Sequence, residues 1–188
     1  MHFYLLLFVL GLCFGSFATM ASYRLVKRKS LLHRSYCPKC KHKLNVLDLF
    51  PLFSYIAQKG KCRYCSSHIS LRYPLIELCT GLLFTLIWYE YNYDIISVIL
   101  LCAFAVCMVI MIVTDLEHYI IPDEIQFAFA VIGIFYAYYY EYSLTQVLFM
   151  PIFLFILALG LRYGSLIFLK KDGLGFGDIK FFAVAGLY

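Results

Sequence analysis

Five stretches free of basic residues, 3–23, 75–89, 95–114, 125–140 and 143–161, restrict this chain more than any other feature. About 20 consecutive apolar residues cross a bilayer, and a somewhat shorter run can do so by thinning it or by anchoring at its ends. Each stretch is therefore expected to be a membrane-crossing helix, the second a short one with Glu77 near its start. With 63% hydrophobic and only 14% charged residues, the chain lies far outside the soluble globular range. The first stretch lacks the basic start and small-residue exit of a secretory signal peptide, which predicts a retained helix. A sixth apolar stretch, 181–188, is far too short to cross where the chain stops, which predicts a helical core incomplete at its C-terminus.

Orientation follows from the basic residues. All but four of the 16 Lys and Arg fall between Arg24 and Arg72, the exceptions being Arg162, Lys170, Lys171 and Lys180. Five crossings put both basic segments on one side. The positive-inside rule makes that side the cytosol and leaves the N-terminus outside. The net charge of +5 is then a matter of topology, with lipid headgroups as partners for Lys27, Arg28 and Lys29, and no nucleic-acid partner is implied. The tyrosine-rich "FYAYYYEY" (135–142) suits an aromatic belt at the outer surface.

The same topology brings the turn "TDLEHYIIPDEI" (114–125) to the cytosolic face, so Asp115 and Asp178 share one side of the membrane. Asp123 and Glu124 follow Pro122 at a helix start, where proline fits and acid suits the positive end of the helix dipole, so a structural role accounts for them. Asp115 sits at a helix C-terminus instead, where the dipole disfavours a negative charge by up to ~1 kcal/mol. Asp178 follows glycine and precedes an apolar run, a position equally suited to capping a helix and to chemistry. Helix placement suits Asp178 to the charge and Asp115 to the proton. Ahead of Asp178, Gly173, Gly175 and Gly177 remove alternate side chains, which permits unusual backbone angles and close approach of another chain. A flexible loop or a small-residue helix contact would give the same pattern.

Two carboxylates that meet cannot both ionise freely, and the resulting state, one charged and one protonated, is the one peptide hydrolysis uses. Such a pair titrates as a unit. The chain has no H-E-x-x-H and no G-x-S-x-G, so metallopeptidase and serine-hydrolase readings fit less well, leaving Ser16 with a histidine such as His118 as a formal alternative.

Cysteine usage raises a separate question. Cys37-x-x-Cys40 and Cys62-x-x-Cys65, with residues 41–61 between them, approach the about 15 to 20 residue spacing of a tetrahedral zinc site. In a cytosolic loop structural disulfides are not expected, and two CxxC pairs favour zinc over a redox pair. Four protein ligands leave no open position, so the metal is expected to be structural. His33, His42 and His68 lie nearby as spare, solvent-facing side chains. Cys13, Cys79, Cys102 and Cys107 fall within the apolar stretches as small fillers. Within the loop, "NVLDLFPLFSYIAQKGK" (45–61) is apolar enough either to lie on the membrane or to pack on the helices. Glu77, about one turn inside its helix, either snorkels or joins a site. No internal repeat is visible.

Four segments carry a family resemblance. "GFGD" (175–178) followed by Lys180 resembles the GxGD-x-K motif of the membrane aspartic proteases that process type IV prepilins, and "TDLEHYIIPDE" resembles their first-aspartate segment. "GSFATMASYRL" is similar to the family's N-terminal motif through Gly15, Ser16, Phe17 and Arg24, with Thr19 where Asn is usual and Val26 where Pro is usual. "CPKC", "CRYC" and "RYPLIEL" match the cytosolic insert and its exit into the second helix. The resemblance implies Asp115 and Asp178 as the catalytic pair, with Gly175, Gly177, Lys180, Glu77 and Arg24 as further substrate- or cofactor-site candidates.

Residues and resemblance together predict an all-α, polytopic helical membrane protein with a cytosolic zinc-ribbon-like insert between the first two helices. The expected divisions are a first transmembrane helix (1–23), a four-cysteine zinc-binding loop (24–74) and a helical peptidase core (75–188). The resemblance further implies cleavage of the leader of type IV prepilins or pseudopilins at the cytosolic face of the bacterial inner membrane. Methylation of the new N-terminus from S-adenosylmethionine is the second activity it implies. A proton- or ion-coupled transporter titrating at the two aspartates, and a non-enzymatic zinc-loop scaffold of a secretion system, are the alternatives.

Overall fold

The computed structural model describes residues 2–170 and 175–188. Its helices, in chain order, are α1 (His2–Val26), α2 (Phe53–Ala57), α3 (Arg72–Tyr91), α4 (Ile95–His118), α5 (Asp123–Tyr139), α6 (Leu144–Leu169) and α7 (Phe176–Ala185), with a 3-10 turn at Val46–Asp48. Gly173 lies outside the described residues. Each of the five charge-poor stretches falls within a helix or its cap residue, but three helices are long and apolar enough to cross a membrane: His2–Val26, Ile95–His118 and Leu144–Ile167. The other two fall short for different reasons. Arg72, Glu77 and Glu90 dilute α3, and the 17 residues of α5 rise only about 26 Å against a hydrocarbon core of about 30 Å.

Helix ends follow local chemistry. Asp94 accepts from the backbone N–H groups of Ile96 and Ser97 and so starts α4. Ser143 and Gln146 form a reciprocal capping box at the start of α6. α4 runs on past Thr114 to His118 and ends where Tyr119 takes a positive φ of 53°, its N–H bonded to the Asp115 carbonyl. The helix of the last long stretch continues through Arg162, whose guanidinium lies 4.4 Å from the Phe176 ring centre.

The chain forms two compact units, Met1–Val113 and Thr114–Tyr188. In the first, α1 packs on α3 through glycines. A Cβ on Gly11 would come within 2.7 Å of Gly81 Cα, and one on Gly15 within 2.7 Å of Glu77 Cα. Gly11 and Gly15 are four residues apart and form a small-xxx-small face that lets two backbones touch. Gly15→Leu is therefore expected to force α1 from α3 at a cost of about 1–3 kcal/mol, read as a lowered unfolding midpoint in detergent. Arg72 adds a bond from its guanidinium to the Ser22 hydroxyl at 3.0 Å. In the second unit α7 packs against α5 and α6. Gly186 lies against Pro151, Ile179 is fully buried, Phe181 meets Phe129 edge-on, and the Tyr188 hydroxyl donates to the Phe129 carbonyl.

Candidate active site and tetrathiolate cluster

Both candidate aspartates belong to the second unit. Asp115 lies exposed on the last turn of α4, and Asp178 lies half-buried on the first turn of α7. Gly175, not Asp178, is the N-cap of α7. Asp178 occupies the third helical position and accepts the Gly175 N–H on Oδ2 at 3.0 Å, one half of a capping box. Among the described residues that bond is the one holding the carboxylate.

The start of α7 is fixed to the segment that immediately follows Asp115. A Cβ on Gly177 would sit 3.3 Å from Ile121 Cβ, and the Gln126 side chain donates to the Gly177 carbonyl at 3.3 Å. One turn further on, Lys180 Nζ donates to Asp123 Oδ1 at 2.7 Å. The glycines thus serve close approach. Neither Gly175, at φ −69°, nor Gly177 needs the left-handed backbone, but a Cβ on Gly175 would reach within 3.2 Å of the Asp178 carboxylate it flanks. Lys180 and Asp123 are both largely exposed, and a surface ion pair contributes little, so Lys180→Ala is expected to shift stability by less than about 1 kcal/mol in thermal unfolding.

Arg24 and Glu77 belong to the first unit, where both line a cavity of about 740 Å³ beneath the insert. Arg24 is buried and its Nη1 donates to the carbonyls of Ser30, Leu31 and His33, folding the chain back under the end of α1. Glu77, equally buried, accepts the Leu52 N–H at 2.8 Å with the Ser16 hydroxyl beside it. Gly15 and Ser16 are therefore legible together: one lets α3 approach, the other faces its carboxylate.

The four loop cysteines meet. Sγ atoms of Cys37, Cys40, Cys62 and Cys65 all lie within 4.8 Å of one another. The Cys37–Cys65 separation of 3.9 Å matches the about 3.8 Å edge of a tetrahedron with metal–sulfur bonds of about 2.3 Å. Two equivalent turns build the cluster. In each, the residue after the second cysteine takes a positive φ, Lys41 at 60° and Ser66 at 54°, and its N–H bonds back to the first cysteine's carbonyl. Bridges at Tyr36–Lys43 and Lys61–His68 close the two turns. This short structural repeat is one that sequence reading missed, although the two CxxC pairs were its signal. Asp48 joins the 3-10 turn to the second cysteine turn by accepting from Tyr64, Gln58 and Arg63. Bonds from the Ser67 hydroxyl and backbone N–H hold the Cys65 thiol down at about 6. At Cys40 the His42 backbone N–H acts downward, but desolvation and the neighbouring Cys37 and Cys65 outweigh it and raise the thiol to about 11. The cluster offers a closed four-sulfur set that could hold a metal ion. His42 stacks on Tyr64 at 3.6 Å between ring centres.

Fold and site define a class: a polytopic helical membrane protein with a cysteine-ribbon insert in one unit and, in the other, one acid on the last turn of α4 and one on the first turn of α7. Residues 9–91 match the Bacterial Peptidase A24 N-terminal domain, and residues 102–188 match the Type IV leader peptidase family. The chain belongs to this type IV prepilin leader peptidase family. It is similar to the prepilin leader peptidase/N-methyltransferase of Bacillus subtilis, 31% identical over 188 residues that cover 96% of this chain and 71% of the relative. The corresponding protein of Myxococcus xanthus is 40% identical over 119 residues, covering 62% of this chain and 35% of the relative. A type 4 prepilin-like proteins leader peptide-processing enzyme of Escherichia coli is 35% identical over 160 residues, covering 82% of this chain and 58% of the relative. The chain thus spans about a third to somewhat over half of the length of the latter two. No solved structure matches it.

Proposed function

We propose that this chain is a membrane aspartic endopeptidase that removes the leader of type IV prepilins or pseudopilins, with Asp115 and Asp178 as the catalytic pair. The observation that carries the reading is the docking of α7's first turn, through Gly177, Gln126 and Lys180, onto the residues directly after Asp115's helix. Asp178, at the positive end of α7, takes the proton of a water whose oxygen attacks the scissile carbonyl carbon. Asp115 donates its proton to the carbonyl oxygen, and collapse of the tetrahedral species sends a proton to the departing amine and restores both carboxyl groups. With the shorter α3 and α5 counted among five crossings, the basic segments support a cytosolic site and an outer N-terminus, and the resemblance to prepilin peptidases supports a bacterial inner membrane. Zinc is the metal the four thiolates suit, in a structural role. Methylation of the new N-terminus is the second activity we propose, since relatives carry N-methyltransferase in their names and the cavity holding Arg24 and Glu77 is of cofactor size. S-adenosylmethionine would supply the methyl group when bound.

The test is incubation of the full chain in liposomes with a prepilin that keeps its own transmembrane segment, read by mass spectrometry. Cleavage after the leader is the expected result. A further increment of one methyl group, dependent on S-adenosylmethionine, would establish the second activity.

A further inference from the structure

The insert carries an apolar edge that the described helices of its own unit leave exposed. Val46, Leu47, Phe50, Phe53 and Ile56 are 49 to 78% exposed, in a segment that the chain holds with unusual care. Leu52, at its centre, takes φ 59° and ψ −51°, an uncommon backbone state for a branched side chain, and its N–H is held by the buried carboxylate of Glu77.

That bond sets the depth of the segment. Glu77 lies against Gly15, nine residues before Arg24, the first charge of α1. Nine residues of helix rise about 13 Å. One glutamate side chain and one hydrogen bond cover only part of that distance. Leu52 is therefore level with the charge-free part of α1, and α1 and α3 themselves expose Phe17, Leu75 and Leu78. α1 is itself long and apolar enough to cross a membrane and exposes Phe14 and Phe17. Basic residues stand at its border: Lys27, Arg28 and Lys29 follow α1, and Lys59 and Lys61 follow α2, all exposed. Apolar side chains at acyl depth with lysines at headgroup level fit an anionic bilayer surface.

We infer that residues 46–56 form a membrane-dipping element that seats the cysteine ribbon in the headgroup and upper acyl region of an anionic bilayer, with the Glu77–Leu52 bond as its anchor. The ribbon then cannot tumble freely above the membrane. Its lower edge rides at a fixed depth beside α1 and α3.

The experiment uses the full chain in phosphatidylethanolamine/phosphatidylglycerol vesicles. Trp88, the single tryptophan, is replaced by Phe, and a reporter is introduced as Phe53→Trp or, independently, Ile56→Trp. Lys39→Trp, in the first cysteine turn, serves as the aqueous control. Both reporters at positions 53 and 56 are expected to show blue-shifted emission, loss of emission with acyl-brominated lipid, and resistance to acrylamide, with the control showing the reverse. Quenching of the position 53 and 56 reporters by acrylamide to the control's extent would overturn the inference. Shielding from both quenchers would overturn it as well, because protein, a second copy of the chain included, would then cover the edge.

Discussion

Asp115→Asn and Asp178→Asn are each expected to abolish leader cleavage, by at least the about 10²- to 10⁴-fold that a positioned acid or base contributes. Loss in both is required because in the proposed mechanism the two carboxyl groups act on one water and one carbonyl, so neither would retain useful chemistry alone. Their stabilities should move in opposite directions. Asp115 sits at the negative end of α4, exposed, so its neutralisation removes an unfavourable charge and should raise stability slightly, within the ~0.3–1 kcal/mol of a helix-terminus charge. Asp178 sits at the positive end of α7 and holds the Gly175 N–H, so its neutralisation should lower stability by a similar amount while Asn keeps an acceptor for that bond. A variant that becomes more stable and inactive is the mark of a residue kept for chemistry. Paired cleavage assays and thermal unfolding of the two variants check this. Cleavage retained by either variant would remove the two-aspartate mechanism. If neither the native chain nor the variants yielded new peptide termini while a proton flux into vesicles depended on both acids, the transporter reading would replace it. A partner-binding activity indifferent to both changes would favour the scaffold.

Much of the fold was legible because membranes simplify the code. A run without basic residues is a helix almost regardless of its internal sequence, and all five stretches are helical. Their ends were less legible. Arg162 does not end α6, since its guanidinium finds the Phe176 ring from a later helix, and α4 continues through Asp115 until Tyr119 turns it. Tertiary partners of that kind leave no local signal. The cysteine cluster was legible from spacing alone because metal geometry fixes ligand spacing, whereas the left-handed residues Lys41 and Ser66 are not of the types that usually announce such a turn. Of the glycines ahead of Asp178, the described Gly175 and Gly177 show close approach, against Ile121 and around the carboxylate itself, and no positive φ. The Gly11 and Gly15 pair, by contrast, carries a standard small-residue spacing that was readable and passed unnoticed inside a uniformly apolar run.

Removal of the zinc proposed for the four thiolates is expected to unfold the insert while leaving the α1–α3 pair assembled. Between residues 27 and 71 the buried residues are Cys37, Pro51, Gly60 and Cys62, so two of the four are themselves metal-ligand candidates and the Pro51 ring is the one aliphatic side chain among them. A segment of that size without an apolar core has little to offset the entropy of ordering its backbone. Binding of structural zinc, worth about 10–16 kcal/mol in zinc-finger peptides, would then be its folding free energy. The α1–α3 contact rests on Gly11, Gly15 and Gly81 instead and contains no cysteine ligand. Metal analysis should give one zinc per chain, reduced by Cys37→Ser or Cys62→Ser. Hydrogen exchange should show the amides of Cys37 and Cys62, bonded to the His42 and Ser67 carbonyls, protected with metal and fully exchanged after chelation, with amides of α1 unchanged. Protection that survives complete metal removal would mean that Asp48, with its bonds to Tyr64, Gln58 and Arg63, suffices to order the ribbon, and the metal's structural role would fall. If the prediction holds, the Glu77–Leu52 bond becomes the boundary between two sources of order: helix packing below it and metal ligation above.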